Sequence, residues 1–245
     1  MEPSAPVGRV HSFQSLGAVD GPGLRYVVFF QGCPLRCAYC HNPDTWAFDG
    51  GQQVTVEDVL QKVRRCAPYI KKKGGVTLTG GEPLAQSGFA AALLAALSAE
   101  GYHTALDTSG AAGLETAAKV LEHTDLVLAD LKFTTEEDYR RNTGGSLAHT
   151  LEFLDLCRKM GRPVWLRHVV VPGLNDGPGA AARLAALAKG YDNVEKVELL
   201  PFRTLCIEKY AALGVPFPLE ATSPAGEEHL APFRAALGPL AVPAE

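Results

Sequence analysis

RYVVFFQ at residues 25–31 runs without a break into GCPLRCAYCHN at residues 32–42. Tyr26 to Phe30 are all β-branched or aromatic, which predicts a buried strand. The segment that leaves it carries Cys33, Cys37 and Cys40 in the spacing C-x3-C-x2-C. Three thiolates on one short loop can hold three corners of a [4Fe–4S] cubane and leave the fourth iron open. A structural zinc site with His41 as the fourth ligand is the rival. Adjacent Cys40 and His41 would strain a tetrahedral centre.

Outward from this stretch, short apolar runs alternate with longer segments of helical period. Further strands are predicted over 76–79, 104–107, 126–130, 164–171 and 194–200. Helices are predicted over 55–70, 86–100, 114–122, 147–160, 180–189 and 227–237. Thr55 is an N-cap with Asp58 three residues on. Gly101 and Gly161 close their helices. Six strands, each followed by a helix or the tail, imply a parallel α/β sheet with right-handed crossovers. An eight-unit barrel takes about 250 residues, so six units with long ends point to a partial, open barrel. A doubly wound open sheet stays open on periodicity alone. The chain reads as one domain, 1–245, with a barrel core at about 24–205, an N-terminal segment and a Pro-rich tail.

The 245 residues are 47% hydrophobic and 20% charged, a composition that buries a core. The net charge of −4 argues against nucleic-acid wrapping. No apolar run is long enough to span a bilayer, and Met1 to His11 has no signal-peptide pattern. A soluble, cytoplasmic protein is expected. Clustered cysteines there are metal or redox groups rather than disulfides. Lone Cys66, Cys157 and Cys206 read as reduced bystanders.

Sites in parallel α/β folds form at the carboxyl ends of strands. Polar groups recur there: Gly80-Gly81-Glu82-Pro83, Asp107-Thr108-Ser109, Asp130-Leu131-Lys132, and Pro201-Phe202-Arg203. Gly80-Gly81 is either a turn or a place where backbone approaches a ligand. Asp107, Asp130 and Lys132 are either caps and a solvated lysine or part of a binding mouth. Gly21-Pro22-Gly23 is a turn, and Asp20 beside it caps that turn or meets a partner. Lys71-Lys72-Lys73 is a solvated turn.

With Gly81-Glu82 after the next strand, the C-x3-C-x2-C motif resembles the radical S-adenosylmethionine (SAM) superfamily. Further blocks resemble the glycyl-radical-enzyme activases within it, of the type acting on pyruvate formate-lyase. These are Gly8 to Phe13, Val19 to Arg25, Phe29 to Asn42, Asp44 to Trp46, Leu106 to Thr108, Asp130 to Lys132, Val164 to Arg167 with Val169 to Gly173, and Asn193 to Pro201. The likeness runs from near residue 8 to about 210. It implies a partial (β/α)6 TIM-like barrel of radical SAM type. Cys33, Cys37 and Cys40 would bind a [4Fe–4S] cluster, with S-adenosylmethionine on the open iron. Tyr39, His41, Gly81, Glu82, Asp130, Leu131, Lys132 and Arg203 would line that cofactor. Gly81 and Glu82 would hold the methionyl amine and Lys132 its carboxylate. Asp107, Thr108 and Asp130 match a monovalent-cation site, and Asp20 a contact with the substrate protein. Arg203 stands where other members carry His. The resemblance implies a 5′-deoxyadenosyl radical that takes hydrogen from a backbone glycine of pyruvate formate-lyase. It also implies a flavodoxin or ferredoxin reductant, a monomer, and no nucleic-acid or membrane partner. The alternatives are an activase of another glycyl radical enzyme or another small radical SAM enzyme. Activases with ferredoxin-like inserts carry extra cysteines soon after the motif. Here Cys66 alone lies between Cys40 and Cys157.

Overall fold

The apolar run after Leu24 forms a six-residue strand, Arg25–Phe30, and the architecture extends from it. A computed structural model of the protein describes residues 6–243. The reading of the N-terminus as leaderless falls partly on residues 1–5, outside the described residues. The chain divides into two compact units. Of the described residues, unit 1 holds 6–34 and 45–128, and unit 2 holds 35–44 and 129–243.

In unit 1, β1 (Val7–Gly17), β2 (Arg25–Phe30), β3 (Gln52–Thr55), β4 (Gly75–Gly80) and β5 (Thr104–Thr108) lie in the order β3-β1-β2-β4-β5. β2 pairs parallel with β4, and β4 with β5. The crossover helices are α1 (Val56–Ile70), α2 (Ser87–Ala99) and α3 (Leu114–Leu121). The α1 capping box is formed: Thr55 Oγ1 accepts from the Asp58 amide at 3.2 Å, and the Thr55 amide donates to the Asp58 carboxylate at 2.8 Å. Val59, Val63 and Ile70 of α1 and Leu93, Leu94 and Leu97 of α2 are fully buried. Each such side chain contributes about 1.5–3 kcal/mol.

β6 (Leu126–Asp130) begins in unit 1 and ends in unit 2. Unit 2 then runs α4 (Glu136–Thr143), α5 (Leu147–Lys159), β7 (Val164–Val170), α6 (Ala180–Lys189), β8 (Val194–Pro201), α7 (Ile207–Leu213), α8 (Glu227–Leu237) and β9 (Ala241–Pro243). β7 pairs parallel with β8, and β8 with β9. Phe233 of α8 packs on the His168 ring at 5.6 Å, which marks the face of β7 covered by helix.

The six expected strands are all present, each within one residue at either end. Three strands and two helices were not expected. β1 runs antiparallel to both β2 and β3, so the sheet is not strictly parallel. Its alternation is masked by Arg9, His11, Ser12 and Gln14 and by two register shifts. α4 is almost wholly polar, with only Tyr139 and Thr143 buried. It is held by the Thr135 N-cap and by ion pairs such as Glu136–Arg140 at 3.2 Å.

Candidate active site

The end of β2 and the segment after β4 lie against one another within unit 1. The Gly81 amide donates to the Phe30 carbonyl at 2.9 Å, and the Glu82 amide to Gly32 at 2.8 Å. A Cβ on Gly81 would stand 2.3 Å from the Gly32 oxygen. This glycine therefore serves a close approach of backbone to backbone. The Cys33 amide donates to Trp46 at 3.3 Å.

Glu82 is only 1% exposed. Its Oε1 accepts from the Thr108 hydroxyl at 2.6 Å and the Leu84 amide at 3.1 Å. Its Oε2 accepts from the Ser109 amide at 2.9 Å and the Ser109 hydroxyl. Four donors surround the buried carboxyl group, so both of its oxygens are hydrogen-bonded by the protein. Ser109 is the partner that sequence reasoning left without a role. Its only signal was its place directly after Asp107-Thr108. Asp107 itself accepts from Thr79 Oγ1 at 2.7 Å.

In unit 2 the loop Leu35–Asp44 is fixed at several points. The Arg36 and Ala38 amides donate to Thr143 and Asn142 at the end of α4, both at 2.8 Å. The Cys40 amide turns back to the Cys37 carbonyl at 3.0 Å. Tyr39 packs on Phe133 at 5.9 Å, and its hydroxyl donates to the Lys132 carbonyl at 3.3 Å. His41 donates from Nε2 to the Arg203 carbonyl at 2.8 Å. Lys209 of α7 meets Asn42 at 2.9 Å and Asp44 at 3.0 Å. The Arg203 guanidinium donates to the Ala225 carbonyl at 2.9 Å.

Lys132 Nζ pairs with Asp130 at 2.7 Å. Burial disfavours its charge, but Asp130, Cys37 and Tyr39 outweigh burial and hold the ammonium well above its usual range. Burial pushes the Cys37 thiol up to about 11, against the pull of Lys132, and pushes the Tyr39 hydroxyl well above its usual range. His168 donates from Nδ1 to the Leu131 carbonyl at 2.6 Å, and burial draws it down to about 4.

All six cysteines are free thiols. Cys33, Gly81, Glu82, Asp107, Thr108 and Asp20 belong to unit 1. Cys37, Tyr39, Cys40, His41, Asp130, Leu131, Lys132 and Arg203 belong to unit 2. Among the described residues, no three His, Cys, Asp or Glu side chains are gathered as a metal cage. Three reduced thiols within eight residues have the chemistry of thiolate ligands to iron, and a cationic lysine has that of a carboxylate partner. Cys66 is half-buried on α1 and Cys157 buried on α5. Cys206 is buried just before α7, within electrostatic reach of Cys40.

The sequence model of the Radical SAM superfamily matches residues 27–185. The chain is 47% identical over 214 residues to the pyruvate formate-lyase-activating enzyme of Clostridium pasteurianum, covering 87% of this chain and 90% of that one. It is 42% identical over 229 residues to the enzyme of the same name from Staphylococcus epidermidis, covering 90% and 91%. Among solved structures, a radical SAM methyltransferase from Sphaerobacter thermophilus matches with a TM-score of 0.62 at 16% identity, over 98% of this chain and 77% of that one. A domain of pyruvate-formate lyase-activating enzyme from Bacteroides vulgatus matches at 0.59 and 23% identity, over 70% and 99%. The structural likeness carries the fold, the α/β type with (β/α)6 alternation expected from the sequence. By both the matched residues and the identity to relatives along nearly its whole length, the chain belongs to the radical SAM superfamily.

Proposed function

We propose that this chain is a glycyl-radical-enzyme activase acting on pyruvate formate-lyase, and an oxidoreductase of the radical SAM type. The observation that carries this is the 47% identity, over 87% of the chain, to a relative of that activity, with the C-x3-C-x2-C motif intact. The whole chain, 1–245, is taken as one radical SAM domain.

Cys33, Cys37 and Cys40 would hold a [4Fe–4S] cluster. When bound, cluster and S-adenosylmethionine supply a one-electron cleavage to a 5′-deoxyadenosyl radical, which removes hydrogen from a glycine Cα of the partner. The protein's own part is placement. Lys132 stays charged and meets the methionyl carboxylate. Gly81 and Glu82 lie at the amine, and the Glu82 carboxylate braces Thr108 and Ser109 in that corner. Tyr39, His41, Asp130, Leu131 and Arg203 line the cofactor. Here the Arg203 side chain is tied to the Ala225 carbonyl, and its backbone carbonyl orients His41. Asp107, Thr108 and Asp130 take a monovalent cation, and Asp20 meets the partner. No acid–base dyad is required, because the bond broken is C–H and the hydrogen leaves as an atom.

Flavodoxin or ferredoxin is the proposed reductant, and the protein is a cytoplasmic monomer. No helix among the described residues is long and apolar enough to cross a membrane. The competing substrate is another glycyl radical enzyme. The scarcity of cysteines after Cys40 favours pyruvate formate-lyase over partners whose activases carry ferredoxin-like inserts. The test is an anaerobic assay of the reconstituted chain with candidate partners. A glycyl radical doublet in electron paramagnetic resonance, with matching 5′-deoxyadenosine, is expected with pyruvate formate-lyase. A doublet only with a different partner, or no 5′-deoxyadenosine at all, overturns the assignment.

A further inference from the structure

An arginine as the first residue of a buried strand carries a charge into the core, and Arg25 is 0% exposed. Every group its guanidinium touches is neutral. Nε donates to Thr77 Oγ1 at 2.5 Å, Nη1 to the Pro22 carbonyl at 3.1 Å, and Nη2 to the Val76 carbonyl at 2.8 Å. Nη2 also lies 3.3 Å from both the His103 carbonyl and His103 Nδ1. Burial draws the guanidinium down to about 10, with Asp20 and Asp125 opposing. A desolvated charge without a contacting carboxylate is costly to bury. The geometry shows what the charge holds.

Thr77 accepts from Arg25 and passes its own proton to the Asp20 carbonyl at 2.6 Å. The guanidinium therefore grips the Asp20–Gly23 turn at two points, at Pro22 directly and at Asp20 through Thr77. The turn is close-fitting against this support. Gly21 has φ +117, and a Cβ there would stand 3.0 Å from Arg25 Cδ. Gly23 has φ +68, and a Cβ there would stand 1.8 Å from the Lys73 oxygen. The Asp20 carboxylate lies over Gly17, where a Cβ would come within 2.8 Å of Oδ2. Leu16, Val19 and Leu24 around the turn are 41%, 52% and 41% exposed. A rigid turn amid exposed apolar side chains suits a protein partner.

We propose that Arg25 is a positioning residue which, through Thr77 and the Pro22 carbonyl, fixes the Asp20–Gly23 turn so that Asp20 meets the backbone of the partner's glycyl loop. This rests on the activase assignment and on Asp20 as the partner contact. Neither Arg25 nor Thr77 is among the residues assigned to the cofactor.

The experiment compares Thr77→Val, Arg25→Lys and Asp20→Asn in the full, anaerobically reconstituted chain. Thr77→Val keeps the arginine and removes the bridging hydroxyl, which accepts from Arg25 Nε and donates to the Asp20 carbonyl. The expected result is a rise of roughly tenfold in KM for the partner protein, the scale of one lost buried hydrogen bond. Partner-free 5′-deoxyadenosine formation with dithionite should be unchanged in Thr77→Val and Arg25→Lys. Adding Thr77→Val to Asp20→Asn should cost little more than Asp20→Asn alone. An unchanged KM, or a parallel fall in partner-free cleavage, overturns the proposal. Hydrogen exchange provides an arm that needs no partner. The amides of Asp20, Gly21, Gly23 and Leu24 should exchange faster in Thr77→Val, and unchanged protection there also overturns it. If the unmodified chain makes 5′-deoxyadenosine but activates no partner, the activase assignment fails by itself, and the exchange arm still decides whether Arg25 holds the turn.

Discussion

Two segments flank β2, and they are held in opposite ways. The Asp20–Gly23 turn before it has two glycines with positive φ and hangs largely on one buried cation. The Leu35–Asp44 loop after it contains no glycine. It is fixed by amides to the end of α4, by Tyr39 on Phe133, by His41 on the Arg203 carbonyl, and by Lys209. The lesson is about failure. A turn with one keystone is lost by one substitution. A loop with many small supports loses its chemistry through its cysteines long before it loses its shape.

The largest effect is expected from Cys37→Ala, with Cys33→Ala and Cys40→Ala alike. Iron content and 5′-deoxyadenosine formation should both be abolished, as read by metal analysis and a cleavage assay. Retention of a full cluster in any of them would reverse the roles given to the loop. Next comes Arg25→Met, which leaves buried carbonyls of Pro22 and Val76 short of a donor. It should cost about 3 kcal/mol in urea unfolding, well above any single conservative change in the loop.

The third prediction concerns acid. His168 supports the segment that receives Tyr39, and its folded pKa is about 4, below the ordinary 6.5. The unfolded chain binds this proton first as pH drops. Stability is therefore complete above about pH 6.5 and falls as pH goes down to 4, by roughly 3 kcal/mol in all. His168→Gln should flatten that slope in unfolding measured across the window. His103, beside Arg25, is shifted in the same direction by burial and by Arg25, so the turn side adds to the same acid loss. Smaller still, Tyr39→Phe removes one 3.3 Å hydrogen bond and keeps the Phe133 contact. It should cost under about 1 kcal/mol. Least of all is Cys206→Ala. Iron content should not change, although the thiol lies near Cys40. Loss of iron there would add a fourth thiol to the ligand set.

Much of the fold was legible because local signals agreed. The six strands are short, mostly apolar runs, five of them with Gly or Pro close by, and the α1 start carries its own capping box. β1 was not legible, because a strand with so many polar side chains is stabilised by partners on both sides, and pairing is not written in its own pattern. α4 was hidden for the opposite reason: its helix signal is capping and ion pairs without an apolar stripe. At the site, the cysteine spacing spoke for itself. The saturation of Glu82 by Thr108 and Ser109, 26 and 27 residues away, did not.

By itself the sequence determined the three-thiol motif, the alternation of strands and helices, and the family resemblance, since all three are patterns of residue type against position. Only the tertiary structure decided what Arg25 does. Its grip on the turn depends on Thr77, Val76 and His103, which lie 52, 51 and 78 residues along the chain. A buried charge is defined by the groups that solvate it, and folding alone brings those groups together.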